Sequence, residues 1–295
     1  MKVRASAALS RCKGMNSMSV IALKTHKTFA GLTQFWEHDS KMTKTKMKFS
    51  TFIPDGIVKG CVIWLSGLTC TDENFITKAG AQKYLADHQL MVICPDTSPR
   101  GLNLPGEHDS WDFGSGASFY VNATTPGYAE HYQMESYICE ELIEILQSTF
   151  KISKNSISIM GHSMGGHGAL TLGLRHPKKF KSISAFSPIV NPIVVPWGEK
   201  AFTGYFGEDR STWKSHDATE LLKNMQTHPN PILIDQGAKD EFLEKQLLTE
   251  HFISASKEAK QSLEVNYRDG YDHSYYFIST FIGKHVEFHA KALAN

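Results

Sequence analysis

From Gly60 onward the chain alternates between two patterns. Cys61-Val62-Ile63-Trp64-Leu65 and Leu90-Met91-Val92-Ile93-Cys94 are unbroken apolar runs that end in Gly, Ser, Pro or Asp. Ile157–Met160, Ser182–Phe186, Pro231–Ile234 and Leu263–Tyr267 are shorter runs of a similar kind. Apolar runs without polar alternation fit strands covered on both faces. Between them, Asn74–His88, Tyr132–Phe150, Gly166–His176, Leu243–Lys260 and Tyr275–Leu293 carry helical spacing. Strands alternating with helices predict an α/β fold with a mostly parallel central sheet and helices on both faces. Ahead of Gly60 the pattern differs. Thr33–Glu37 and Thr45–Phe52 mix polar and apolar positions on either side of the polar turn HDSKMTK. That predicts an N-terminal antiparallel hairpin with one exposed face.

The stretch from Thr97 to Tyr128 is long for a loop, and ordered loops of this length tend to wall an active site. No internal repeat or Pro/Gly/Ser linker interrupts the chain, so residues 19–295 read as one domain. Residues 1–18 are basic, free of acids and rich in small residues. A transit peptide has this character, and so does an over-extended start with Met15 or Met18 as the initiator. This segment is read as a leader that precedes the folded domain.

Composition changes the picture little. The formal net charge is +1, so the chain carries no electrostatic footprint for nucleic acid or an anionic membrane. No apolar stretch is long enough to span a bilayer. The five cysteines (Cys12, Cys61, Cys70, Cys94 and Cys139) are scattered and form no CxxC pair, the usage of a reduced intracellular protein.

The strongest chemical signal is Gly161-His162-Ser163-Met164-Gly165, with a short apolar strand before it and helix-compatible residues after it. A strand–Gly-x-Ser-x-Gly–helix element holds its serine on a strained turn at a helix N-terminus. The flanking glycines are needed because their neighbours come too close for side chains. In this context it is the nucleophile elbow of the α/β-hydrolase fold, and Ser163 is the expected nucleophile. The dipole and free amides of the following helix favour developing negative charge there.

A serine hydroxyl needs a base, and in this fold the order along the chain is Ser, Asp or Glu, then His. Most of the fourteen histidines precede Ser163, lie on the helix after it, or come before any plausible acid. His285 and His289 are expected on the polar face of the C-terminal helix, and His251 falls within a helical stretch. His273 sits in a Gly-containing loop between a strand and the last helix, where the base belongs. For the acid, Asp240 follows a turn just past the strand end and is preferred. Asp235, at the strand end, stays open as an alternative, although it could instead brace its loop by Asx-type bonds. Asp272 is expected to fix its own loop. The oxyanion hole should use the amides of Met164 and of Leu68, the latter in the turn after Trp64-Leu65. Cys70 would lie close by, with no role as nucleophile.

Beyond the elbow, the matching segments are Trp64–Thr71 (WLSGLTCT), Pro95–Gly101 (PDTSPRG), Ser110–Gly114 (SWDFG), Gly161–Gly168 (GHSMGGHG), Asn191-Pro192, Pro196-Trp197-Gly198 and Gly270–Phe277 (GYDHSYYF). In these the sequence resembles the S-formylglutathione hydrolase family, also known as esterase D, from about Phe29 to the C-terminus. The resemblance implies hydrolysis of S-formylglutathione to glutathione and formate, with side activity on short-acyl esters. It also implies a cytoplasmic location, commonly a homodimer, and neither cofactor nor metal. Its triad falls on Ser163, Asp240 and His273. A formyl group needs little room, so Trp111 and Trp197 are candidates to close the acyl side. Rival readings are a general short-chain carboxylesterase and a noncatalytic binding or acyl-transfer relative.

Overall fold

The computed structural model of the protein describes residues 19–294, so the leader at 1–18 lies outside the described residues. Nine strands form one sheet: β1 (Val20–Lys27), β2 (Gly31–Asp39), β3 (Lys46–Pro54), β4 (Gly60–Leu65), β5 (Leu90–Pro95), β6 (Ile157–His162), β7 (Ile183–Phe186), β8 (Ile232–Gly237) and β9 (Leu263–Arg268). Their order across the sheet is β1-β2-β3-β5-β4-β6-β7-β8-β9. The first three pair antiparallel, β3 pairs antiparallel with β5, and every pair beyond β5 is parallel.

The apolar runs are unbroken because alternate residues enter different cores. Cys61, Ile63 and Leu65 of β4 face one core, and Val62 and Trp64 face the other. In β5, Met91 and Ile93 likewise oppose Leu90, Val92 and Cys94. With a side-chain period of two, a strand covered on both faces favours apolar residues at every position, as in β4 and β5.

The hairpin expected near the N-terminus is a three-stranded antiparallel unit, because β1 adds to it as an edge. Seven of the eight residues of β1 are exposed, so it has no buried face to impose an alternation. The stretch Asn74–His88 is two helices, α1 (Glu73–Lys78) and α2 (Gln82–His88), separated at Gly80 with φ of +64°. Tyr132–Phe150 holds α3 (Met134–Ser136) and α4 (Leu142–Ser148), joined through a π turn at Tyr137–Glu141. Helix α5 (Met164–Arg175) follows the elbow. Two helices not predicted, α6 (Pro196–Phe206) and α7 (Ala218–Lys223), lie between β7 and β8. Leu243–Lys260 breaks at Leu248, φ +54°, before α8 (Thr249–Ala259), and α9 (Tyr275–Leu293) is the last helix of the described residues, as expected.

The expectation for α9's histidines is corrected. His285 and His289 are fully buried against the sheet, not on a polar face. Serines of the sheet supply their partners. His289 bonds Ser182 and Ser184 at 2.7 and 2.8 Å, and His285 bonds Ser184 at 2.8 Å while stacking on Phe186 at 3.8 Å. A helix can face a core with imidazoles when each finds a hydroxyl there.

The strand order positions the site. The connection from β4 leads to β5 on one side, and the chain then crosses back to β6 on the other side of β4. At such a reversal the loops leaving the carboxyl ends of adjacent strands part, and a crevice opens between them.

Candidate active site

Leu65 of β4 is level with Gly161 of β6, so the turn after β4 and the elbow after β6 start side by side. Ser163 holds φ 57° and ψ −117°, a strained conformation for a residue with a side chain, and α5 begins at the next residue. The surroundings over-determine it. Ser163 N–H donates to the carbonyl of Phe186 at 3.0 Å, and its own carbonyl accepts from His167 and Ile189 at 2.9 and 3.2 Å. A Cβ on Gly161 would stand 2.1 Å from the carbonyl oxygen of Gly165, and one on Gly165 would stand 1.9 Å from that of Leu65. Both positions therefore exclude any side chain.

Met164 is the first residue of α5, where the amide has no partner within the helix. Across from it, the turn at Gly67–Cys70 closes with Cys70 N–H on the carbonyl of Gly67 at 3.3 Å, while Thr69 N–H donates to Gly116 at 2.9 Å. Those bonds do not use the amide of Leu68. The long loop after β5 holds this turn from behind. Tyr120 Oη donates to the Ser66 carbonyl at 2.8 Å, and Thr97 Oγ1 and an Arg100 amine donate to the Cys70 carbonyl at 2.6 and 3.0 Å. Arg100 is itself fixed by Asp96 at 2.7 Å. Sequence reasoning named the loop as a wall but missed these residues. The Pro95–Gly101 motif was the available signal.

Strands β8 and β9 end level with each other, Gly237 opposite Arg268. Their loops cross closely enough that a Cβ on Gly237 would be 2.7 Å from the Tyr271 carbonyl oxygen. This crossing brings His273 Nδ1 to 2.6 Å from Asp240 Oδ2, and Asp240 Oδ1 accepts the Phe242 amide at 3.0 Å. Asp235, the alternative acid, points to the α9 side of the sheet. There Arg268 donates to both its oxygens at 2.9 and 3.0 Å, a bidentate ion pair and not an Asx-type loop brace. Asp272 accepts from the amide and hydroxyl of Ser274 at 3.0 and 2.6 Å, within its own loop.

A cavity of about 300 Å³ joins these parts, with Ser163, His273, Leu68 and Cys70 on its wall. Trp111 and Trp197 also line it, in an edge-to-face pair at 5.5 Å. Trp111 is 56% exposed and forms the rim, whereas Trp197 is buried. Burial raises the pKa of the Cys70 thiol, with a partial opposing effect from the Lys78 ammonium. His162, set aside by chain order, lies beside the expected base, its ring 4.4 Å from that of His273. Burial first, and then the charge of His273, push its pKa well down, so His162 is neutral there. Among the described residues, no group of three or more His, Cys, Asp or Glu side chains is arranged to hold a metal ion.

Residues 40–288 match the family model described as a putative esterase. The chain is 50% identical to rat S-formylglutathione hydrolase over 280 residues, covering 94% of this chain and 99% of the rat protein. It is 47% identical to the Arabidopsis thaliana enzyme of the same name over 272 residues, 90% of this chain and 95% of that one.

The chain belongs to the S-formylglutathione hydrolase family.

A solved S-formylglutathione hydrolase from Agrobacterium tumefaciens has the same architecture, with a TM-score of 0.90 at 42% identity over 92% of this chain and 99% of that one. The family is an α/β-hydrolase family of serine esterases, in keeping with the fold described above. Among the described residues, no helix is long and apolar enough to cross a membrane.

Proposed function

We propose that the protein hydrolyses S-formylglutathione to glutathione and formate, a step of formaldehyde detoxification, with Ser163, His273 and Asp240 as its catalytic triad. The bond of 2.6 Å between His273 Nδ1 and Asp240 Oδ2 carries this reading, because it leaves Nε2 as the proton acceptor. Nε2 takes the hydroxyl proton as Ser163 Oγ attacks the formyl carbon. The carbonyl oxygen becomes an oxyanion held by the Leu68 and Met164 amides, each such donor being worth about a hundred- to a thousand-fold in rate. The carbon–sulfur bond then breaks, and His273 returns the proton to the departing glutathione thiolate. Water gives a proton to His273 and attacks the formyl-serine, releasing formate and restoring Ser163. Asp240 holds the imidazole in one tautomer and stabilises its charged form.

Trp111 and Trp197 close the acyl side in this scheme and leave room for formyl and other short acyl groups. The catalytic unit runs from Ser19 onward, as the unbroken pattern after the leader suggests; it works in the cytoplasm as a homodimer and uses no cofactor. These last points follow the family resemblance, and light scattering on the purified protein tests the dimer. Ser163→Ala should abolish turnover of S-formylglutathione with the fold intact by circular dichroism. Substantial remaining hydrolysis would defeat the mechanism. A preference for long-chain esters over formyl thioesters would favour the general carboxylesterase instead.

A further inference from the structure

The reaction cavity is lined by apolar and neutral groups with one exception. Besides the two histidines His162 and His273, Lys78 is the one cationic residue among its described lining residues. Lys78 closes the last turn of α1, is exposed at the cavity mouth, and makes no ion pair among the described residues. Its ammonium lies 5.7 Å from the ring centroid of Tyr275, another lining residue, in a cation–π contact that orients it without neutralising it.

Asn74 stands one turn earlier on the same face, since residues four apart on a helix are neighbours. Its Oδ1 accepts from the Thr71 amide and hydroxyl at 2.9 and 3.3 Å. This pins the amide plane and leaves the Nδ2 donors unused by the described residues. An unpaired ammonium and a free amide donor thus stand side by side at the opening, on the wall that also carries Cys70.

The cavity, about 300 Å³, is at the lower end for ligand sites, so a tripeptide thioester with its formyl group at Ser163 fills it out to the opening. Its peptide arms must extend to the rim, and glutathione ends both arms in carboxylates. Resting on the proposed reaction, we infer that Lys78, assisted by Asn74, receives a carboxylate of the glutathione moiety and so determines specificity for the leaving group. An exposed pair of this kind is modest in strength and screened by salt.

The test compares S-formylglutathione with the formyl thioester of N-acetylcysteamine, a neutral thiol, for wild type, Lys78→Gln and Lys78→Arg. The ratio of kcat/KM for the two substrates should fall about five-fold in Lys78→Gln, through KM and not kcat. Lys78→Arg should restore most of it, and high salt should bring the wild-type ratio down towards that of Lys78→Gln. A ratio in Lys78→Gln equal to wild type would overturn the role of Lys78 while leaving the proposed reaction standing. A wild-type enzyme that fails to hydrolyse S-formylglutathione would overturn both.

Discussion

His273 Nδ1 and Asp240 Oδ2 lie 2.6 Å apart although they are 33 positions apart in the chain. Two adjacent parallel strands end at the same level, and Lys239 N–H donates to the Tyr271 carbonyl at 2.8 Å where their loops cross. His273 is also flanked by the rings of His162 and Phe242, at 4.4 and 5.0 Å. Few orientations remain open to the imidazole.

Asp240→Asn should therefore lower kcat sharply with little effect on folding. An amide beside Nδ1 can donate as well as accept, so the wrong tautomer gains ground. In a comparable triad this costs about 10⁴-fold. Steady-state kinetics on any ester substrate measures it. A loss below ten-fold would remove Asp240 from the triad.

Gly165→Ala should disrupt the elbow. The new methyl would sit 1.9 Å from the Leu65 carbonyl oxygen, and backbone cannot swing aside as a flexible side chain can. Overpacking of this kind costs about 1–3 kcal/mol. Urea unfolding should show that loss of stability, accompanied by loss of turnover. A fully stable, active variant would contradict the described geometry.

Acid should unfold the protein earlier than its surface charge suggests. Six histidines, His38, His162, His167, His216, His285 and His289, have pKa values lowered chiefly by burial, His216 to about 4 and His167 and His289 to about 3. An unfolded histidine titrates near 6.5, so below that pH the unfolded chain binds more protons and stability falls with falling pH. Each proton of difference contributes about 1.4 kcal/mol per pH unit. Asp72 and Asp217, raised by burial to about 7 and about 6, and Asp235, also raised, act in the opposite sense. The histidines outnumber them. The melting temperature should drop between pH 7 and pH 4, and a flat or rising profile over that range would refute the balance.

Cys70 should react slowly with alkylating reagents at neutral pH and faster as pH rises, because burial keeps its thiol protonated. A bulky adduct would fill the cavity it lines and block turnover by obstruction. Mass spectrometry confirms the label, and full activity after complete labelling of Cys70 would refute the placement.

Local pattern was enough for much of this molecule. Apolar runs marked the parallel strands because a strand covered on both faces favours apolar residues at every position. The elbow was legible because a strained serine at a strand-to-helix turn needs glycine where backbones nearly touch, as at Gly161 and Gly165. Chain order then pointed to His273 and, less directly, to Asp240. Other features depended on partners distant in sequence. Asp235 and Asp240 look alike along the chain, and only the sheet assigns one to Arg268 and the other to His273. His285 and His289 follow a surface-helix pattern, yet buried serines accept them. Neither the support of the Cys70 turn by Tyr120 and Arg100 nor the place of Lys78 at the cavity mouth has a local signature, because each arises where separate loops meet above the strand ends. A residue's own neighbours in the chain set its backbone and its tendency to be buried. What it bonds to once buried is decided by the strand order.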